Sequence, residues 1–394
     1  MSPEDELCLH LIRAQLSHEA RERVLRLSAG PLQWPRVFEI AKRHEIFPLL
    51  HASLGALGFP GVPETVQLEW TKIFRLNAIR NELLANELTR VLRLLGDIRI
   101  PVMPVKGIAL AESLYGDRAL RLCADIDILV PPERFGEAFQ LLRSLEYESG
   151  FTEPRLVELL ARYGKDCLLM RQDSACLYPL QLHCGLIWGG PAERSLTKEI
   201  WSEAFPISFH GVPAFALSTE WEFLYYAVHA ARHGLFPLKW LVDLDRICRR
   251  GSLDWKRVKE KAKLLGWERA VQSSLSACAA LLDTPVPAVT SKSARAAGAR
   301  LATSGPSTVQ ILRETLFGVR LLTSPVQRLR FLAVRLFVPT PADCPVIHLP
   351  SQLFFLYYVL RPVRVAGLSI WWLLQAAWQS IWRVADRREE GGVV

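Results

Sequence analysis

The sequence has no apolar segment near its first residue and no closely spaced pair of cysteines. The first ten residues, MSPEDELCLH, are acidic, so no secretion signal is expected there. The eight cysteines are scattered, with no Cys-x-x-Cys pair of the kind that marks many zinc and redox sites. Free thiols in a reducing compartment are expected instead, and the predicted location is cytoplasmic.

The positive charge of the chain is unevenly distributed. The net charge is +8, and half of the 394 residues are hydrophobic, which is enough for a sizeable core and two or three domains. From residue 286 onward there are thirteen Lys and Arg against five Asp and Glu, whereas residues 1–285 carry equal numbers of each. The charge therefore predicts an anion-contacting surface in the C-terminal part and does not make the whole chain nucleic-acid binding.

The segment 102–130 is the predicted chemical centre of the protein. It consists of a short apolar strand, a turn at Lys106 and Gly107, a helix, and a second apolar strand that contains Asp125 and Asp127. Residues two apart on a strand lie on the same face, so the two carboxylates point the same way. Because like charges this close repel, a divalent cation that supplies the counter-charge is a better explanation than a role in folding alone.

This segment resembles the bacterial nucleotidyltransferase-like group of the DNA polymerase β superfamily. The residues that carry the resemblance are Lys106, Gly107, Tyr115, Arg121, Asp125 and Asp127. The resemblance implies a glycine-containing turn beneath a triphosphate, an Asp-x-Asp strand that holds Mg²⁺, and a third carboxylate on a later strand. The turn here is Lys-Gly-Ile and not the usual Gly-Gly/Ser. The resemblance covers about residues 30 to 285 and is most specific at 105–130 and 221–245.

The expected third carboxylate is replaced by an amide. Two extended runs on either side of residues 172–174 predict a hairpin, and Gln181 stands on its second strand at the position that the family fills with an acid. An amide cannot act as a general base or neutralise a second metal. Three interpretations remain: one metal with substrate-assisted deprotonation, substitution by Asp166 or Asp173, or a degenerate enzyme. His183 is either a catalytic or metal-binding group or, more often for a lone histidine on an apolar strand, a structural one.

A second block, residues 218–250, is similar to the helical half of the same family. His229 and His233 are four residues apart and share one helical face, but Ala230 stands where the common zinc signature has a glutamate. A polar seam that faces the cleft or a neighbouring helix is the favoured interpretation. The resemblance implies that Lys239 lies near phosphate and that this block walls the cleft.

The predicted fold is α+β, with a small mixed-sheet nucleotidyltransferase core flanked by N-terminal and C-terminal helical regions. We place an N-terminal helical region at 1–98, in which residues 64–96 form one long amphipathic helix. The α/β core follows at 99–215, and a helical domain that walls the cleft at 216–285. A basic, Trp-rich helical extension occupies 286–394.

The predicted function is that of a nucleotidyltransferase that depends on Mg²⁺ or Mn²⁺ and moves a nucleoside monophosphate from a triphosphate such as ATP to an unidentified hydroxyl-type acceptor. Asp125 and Asp127 are the predicted catalytic and metal-binding residues. The predicted nucleotide-binding residues are Lys106, Gly107, Arg121 and Lys239. Arg121 either contacts a phosphate or holds the Asp strand by a salt bridge, and the structural role is slightly favoured. The alternative is a catalytically degenerate fold that acts as a nucleotide-binding or membrane-surface scaffold.

The tail contains 18 consecutive uncharged residues, 365–382, with tryptophans inside and arginines at both borders. Eighteen residues are at the lower limit for a membrane span, and the polar residues among them make a poor one. Tryptophan beside arginine is typical of a helix that lies on anionic lipid, so residues 351–388 predict peripheral contact with the inner face of a membrane. A helix docked on the protein itself or a partner-protein site is equally compatible. No nucleic-acid recognition motif is present, so nucleic acid is not an expected partner.

Overall fold

The computed structural model describes residues 1–151, 153–163, 166–186, 193–287, 319–320, 325–344, 346–367 and 371. These residues form an α+β fold, as predicted. The N-terminal part is helical: α1 (Pro3–Leu11), α2 (His18–Ser28), α3 (Trp34–Arg43), α4 (Phe47–Ala56) and α5 (Glu64–Asp97). The single long helix predicted at 64–96 is confirmed by α5. Its interior has no proline or glycine before Gly96, and its apolar residues recur every three or four positions.

The central sheet carries the segment with the paired aspartates. Its strands are β1 (Met103–Pro104), β2 (Ile126–Leu129), β3 (Glu148–Ser149), β4 (Cys167–Gln172) and β5 (Leu177–His183), in the order β1-β2-β5-β4-β3. Only the β2–β5 pair is parallel, and the other pairs are antiparallel. The predicted hairpin is β4–β5. Between the strands lie α6 (Gly107–Leu110), a π-helical turn (Ala111–Tyr115), a 3₁₀ turn (Arg118–Leu120), α7 (Phe135–Ser144) and α8 (Pro154–Arg162).

A second helical group follows the sheet. It begins with α9 (Glu193–Ser202) and the hairpin β6 (Phe205–Phe209) and β7 (Val212–Ala216), which is joined to the central sheet region by a hydrogen bond from the Phe215 N–H to the Val102 carbonyl, 2.9 Å. The helices α10 (Thr219–Arg232), α11 (Lys239–Arg249), α12 (Trp255–Leu265) and α13 (Glu268–Leu282) come next. The helical block predicted at 218–250 is therefore α10 and α11.

The protein has two hydrophobic cores, and each of them combines elements that are distant from one another in the sequence. The first core combines α1–α4 with α10–α13, so the N-terminal helices pack with the helices of the 216–285 region. The second core lies between the sheet, α7, α8, the β6–β7 hairpin and the C-terminal half of α5. Trp70 belongs to the first core and Leu84 to the second, so α5 contributes to both, as β2 does through Leu129 and Ile128.

The described part of the C-terminal extension contains α14 (Pro325–Phe337), a 3₁₀ segment (Ser351–Leu356) and helical residues 357–367. Phe354 and Tyr357 enter the second core, and Arg155 on α8 donates to the Ser351 carbonyl at 2.9 Å. This extension is thus attached to the sheet module. Within the described ranges, no helix is both long and apolar enough to cross a membrane. Most of the predicted interfacial helix, 365–382, lies outside the described residues.

Candidate active site

The two aspartates lie at the start of β2. Ile126 and Ile128 alternate with them and are buried in the second core, so the strand places Asp125 and Asp127 on the opposite face. Asp127 is itself only 4% exposed. A carboxylate at this depth requires partners, because burial without them favours the protonated form.

Asp127 is paired with a lysine and a histidine. Its Oδ1 accepts a hydrogen bond from Lys106 Nζ at 3.2 Å and lies 2.9 Å from His183 Nε2. Burial alone would raise the pKa of Asp127, but Lys106 and His183 outweigh it and hold that pKa below its usual value. Burial likewise opposes the charged form of Lys106, and the charge of Asp127 reverses the effect and raises the Lys106 pKa. In this arrangement an internal cation balances the Asp127 carboxylate.

The negative charge of Asp125 is less well balanced by nearby cations than that of Asp127. Its Oδ2 accepts a hydrogen bond from Gln181 Nε2 at 3.1 Å. Burial and the neighbouring charge of Asp127 raise the pKa of Asp125 to about 6, although Lys106 and other nearby cations act in the opposite direction. A further cation close to Asp125 would therefore stabilise its ionised form.

Gly107 is the backbone element that brings the Lys106 turn against the aspartates. It has a φ of +55°, and a Cβ atom at this position would lie 2.7 Å from the carbonyl oxygen of Asp125. Both the positive φ and the close approach require glycine. The Lys-Gly-Ile turn is thus matched to the start of β2, and it holds Lys106 within reach of Asp127.

Arg121 forms a buried ion pair that joins the two halves of the site. Its Nε and Nη2 donate to Asp243 of α11 at 3.0 and 2.9 Å, and its Nη1 donates to the Gly107 carbonyl at 3.3 Å. The hydroxyl of Tyr115 donates to the same Asp243 carboxylate at 2.7 Å. The carboxylate partner of Arg121 is therefore on the helical wall and not on the Asp strand. Contact of Arg121 with phosphate stays a prediction.

The wall opposite the sheet is built by α10 and α11. Lys239 Nζ contacts Glu45 and donates to the Leu122 carbonyl at 3.3 Å. The rings of His229, His233 and Trp240 lie in mutual contact, with centroids 4.6 to 4.8 Å apart. Burial lowers the pKa of His229 well below its usual value, so this ring is neutral near neutral pH.

A cleft of about 400 Å³ brings these groups together. All six residues predicted from the sequence line it: Lys106, Gly107, Arg121, Asp125, Asp127 and Lys239. The cleft is also lined by His229 of α10 and by His233, the residue that caps the C-terminus of this helix. Sequence reasoning missed Glu45, which carries no local motif and reaches the cleft from the N-terminal helices. It also did not single out Arg232, although this residue lies in the helical block expected to wall the cleft.

Of the two acids considered as substitutes for the third carboxylate, only Asp166 lines the cleft. It precedes β4, whose first residue pairs with Leu182, so it lies next to the position opposite His183. Asp173 is at the far end of the hairpin, where its Oδ1 accepts the N–H groups of Ala175 and Cys176, both at 2.9 Å.

Comparison with known proteins decides the family. The sequence profile of a family described as an uncharacterised nucleotidyltransferase matches residues 30–283, which is more than half of the chain. The chain belongs to this nucleotidyltransferase family. A crystal structure titled as an antigenic nucleotidyltransferase-like protein from Paracoccidioides brasiliensis is similar at 14% identity and a TM-score of 0.31, covering 51% of this chain and 96% of that one. No curated protein matches the chain.

The cleft has a partial donor set for a divalent cation. Among the residues that the structure describes, no group of three or more His, Cys, Asp and Glu is arranged to hold a metal ion. Mg²⁺, however, is usually held by one or two carboxylates together with substrate phosphates and water, and not by a complete protein cage. Asp125 and Asp127, with the Gln181 amide beside Asp125, fit that description.

Proposed function

We propose that the protein is a Mg²⁺-dependent nucleotidyltransferase of the bacterial nucleotidyltransferase-like group in the DNA polymerase β superfamily. It would transfer a nucleoside monophosphate from a nucleoside triphosphate to a hydroxyl-type acceptor. The observation that carries the proposal is the convergence of Asp125, Asp127, Lys106 and Lys239 on one cleft in a chain of this family. A metal–triphosphate complex requires carboxylates that hold the cation and positively charged side chains that offset the negative charge of the phosphates. This cleft provides both kinds of group.

In the proposed reaction, the acceptor oxygen forms a bond to the α-phosphorus while the bond from that phosphorus to the bridging oxygen of the β-phosphate breaks. Pyrophosphate leaves with the bonding electrons, and the acceptor loses its proton. Mg²⁺ held by Asp125 and Asp127 would supply the charge that stabilises the transferring phosphoryl group.

The residues of the chain have separable roles in this proposal. Lys106 and Lys239 both line the cleft and would contribute positive charge toward the phosphates. Gly107 removes a side chain where the backbone must approach the Asp strand. Asp166 would serve as the third carboxylate in place of Gln181, supporting the metal and receiving the acceptor proton, since it lines the cleft and Asp173 does not.

The second candidate function is a degenerate nucleotidyltransferase that binds a nucleotide or acts as a scaffold. Two observations favour it. Gln181 occupies the position paired with Asp127 across β2 and β5, where the resemblance implies an acid. Lys106 also already neutralises Asp127, which reduces the demand of that carboxylate for a metal.

The test of the proposal is calorimetric titration of ATP, GTP, CTP and UTP, each with Mg²⁺, into the intact chain. We expect Mg²⁺-dependent binding of at least one nucleotide, lost in Asp127→Asn and retained in Asp97→Asn, which changes an exposed aspartate at the end of α5. Absence of binding by the folded protein would refute the proposal. Pyrophosphate release from the bound nucleotide then separates the enzyme from the scaffold, because only the enzyme breaks the phosphoanhydride bond.

A further inference from the structure

The described part of the C-terminal extension exposes an unusual share of apolar surface. Of the 23 large hydrophobic side chains that are exposed in the described residues, 13 fall between residues 326 and 371. They are Val326, Leu329, Leu332, Leu336, Phe337, Val346, Ile347, Leu353, Phe355, Tyr358, Val359, Val363 and Trp371. Single exposed hydrophobic residues need no explanation, but a concentration of this kind marks an interaction surface.

Two helices present these side chains in regular rows. In α14, Phe331 and Val334 are buried, whereas Leu329 is 72% exposed and Leu336 also faces outward. This helix is therefore apolar on its outer face as well as its inner one, unlike the surface helix of an ordinary globular protein.

The next helical segment has a comparable outer row. Phe355, Val359 and Val363 follow at intervals of four residues and are 59%, 64% and 67% exposed. Intervals of four place side chains on one helical face. The inner face of this segment is fixed to the protein by Tyr357 in the second core.

Residues 325–367 carry a net positive charge, and an acid from outside them, Glu153, lies at their border, where it accepts a hydrogen bond from Ser351 Oγ at 2.7 Å. Residues 325–367 contain five arginines and a single acid, Asp343. Asp343 is buried, with its Oδ2 accepting from Arg361 Nη1 at 2.6 Å and its Oδ1 contacting Arg364. No acidic side chain of this segment is therefore available to a partner, while Arg330 is exposed beside Leu329.

We propose that the surface formed by α14 and residues 353–363 rests on an anionic lipid bilayer. Exposed apolar side chains enter the boundary between headgroups and acyl chains, and the exposed Arg330 beside them meets a lipid phosphate. A bilayer containing anionic lipid matches both properties of this surface, because its headgroups attract the net positive charge and its acyl chains accept the exposed apolar rows. This placement extends the sequence-based expectation for 351–388 to α14, and it is independent of the reaction carried out in the cleft.

The experiment measures binding of the full-length protein to vesicles by flotation. We expect binding to vesicles of phosphatidylcholine with about one third phosphatidylglycerol, at least about tenfold weaker binding to phosphatidylcholine alone, and weakening by salt. The variant with Phe355→Ser, Val359→Ser and Val363→Ser should lose at least about tenfold in partition to the anionic vesicles.

A matched control distinguishes binding through this surface from nonspecific hydrophobic binding to vesicles. Leu68, Leu76 and Ile79 of α5 are also more than half exposed, and changing all three to serine should leave vesicle binding unchanged. Circular dichroism establishes that both triple variants are folded. No binding of the folded wild-type chain, or equal loss in both variants, would overturn the proposal. Self-association of the wild type that disappears in the 355–363 variant, without lipid binding, would assign the surface to a second copy instead.

Discussion

Asp127 and Gln181 are paired across the two parallel strands at the centre of the sheet. Paired residues on adjacent strands project to the same face, so the amide of Gln181 lies beside the aspartates, and it donates to Asp125 at 3.1 Å. An acid at this position would add a third negative charge to the cleft, whereas an amide adds none. The substitution reduces repulsion within the site, but any chemistry that needs a third carboxylate must obtain it from another strand.

The first prediction concerns the acid that takes this role. In Asp166→Asn, the affinity for the Mg²⁺–nucleotide complex should fall at least about tenfold, the size of effect seen when a group that supports a metal site is lost. Asp173→Asn is the control, because the hairpin acid lies away from the cleft and an asparagine oxygen can still accept the two N–H groups of the turn. Calorimetry with the same nucleotide checks both. Equal effects of the two substitutions, or a larger effect at Asp173, would contradict the assignment.

The second prediction concerns the turn that precedes α6. Gly107→Ala combines a positive φ with a 2.7 Å approach of the new Cβ to the Asp125 carbonyl, so the backbone at the start of β2 must shift. We expect the free energy of unfolding to fall by about 2 to 3 kcal/mol. We also expect nucleotide binding to weaken under conditions in which the variant is fully folded, because the shifted backbone carries Asp125. Denaturant unfolding and calorimetry measure the two effects.

Gly116 provides the comparison for this substitution. Its φ is +71°, similar to that of Gly107, but nothing lies within 4 Å of a Cβ atom built there. Gly116→Ala should therefore cost only about 1 kcal/mol and leave nucleotide binding intact. If the two alanine variants behave alike, the close approach at Gly107 has no role in shaping the site.

Local patterns predicted those parts of the site that lie close together in sequence. The alternation around Asp125 and Asp127 and the apolar periodicity of α5 each follow from one stretch of chain, and both are present in the structure. The position of Gln181 beside Asp127 also agrees with the predicted hairpin.

Local sequence patterns could not predict side-chain contacts between residues that are far apart in the sequence. Arg121 meets Asp243 across 122 residues, and Lys239 meets Glu45 across 194. The Lys239–Glu45 contact depends on how the first hydrophobic core brings the N-terminal helices against α11, and the Arg121–Asp243 contact depends on how α11 packs against the segment before β2. Nothing in the local sequence fixes either packing. The pairing of Lys106 with Asp127 is of the same kind, because it depends on a distance between side chains 21 residues apart and not on residue type alone.

The final prediction concerns His44, which ties the N-terminal helices to the start of α11. Its carbonyl accepts the Lys239 N–H at 3.2 Å, and its Nδ1 accepts the Leu238 N–H at 3.4 Å. Burial, with a smaller contribution from Arg43, lowers the pKa of His44 to about 4, against a weak opposing effect of Asp5. A protonated ring could not accept the Leu238 hydrogen bond, so the folded state favours neutral histidine.

The sign of the pH dependence follows from this shift. Above about pH 6.5 the ring is neutral in both the folded and the unfolded chain, and between about pH 6.5 and 4 only the unfolded chain takes up the proton. Stability contributed by His44 is therefore complete at neutral pH and falls on acidification through that window, by about 3 kcal/mol at most. His44→Asn keeps an acceptor near the Nδ1 position but does not titrate. Denaturant unfolding of both proteins between pH 7 and 4 should show the wild type losing stability relative to the variant, and parallel curves would show that His44 is protonated without cost in the folded protein.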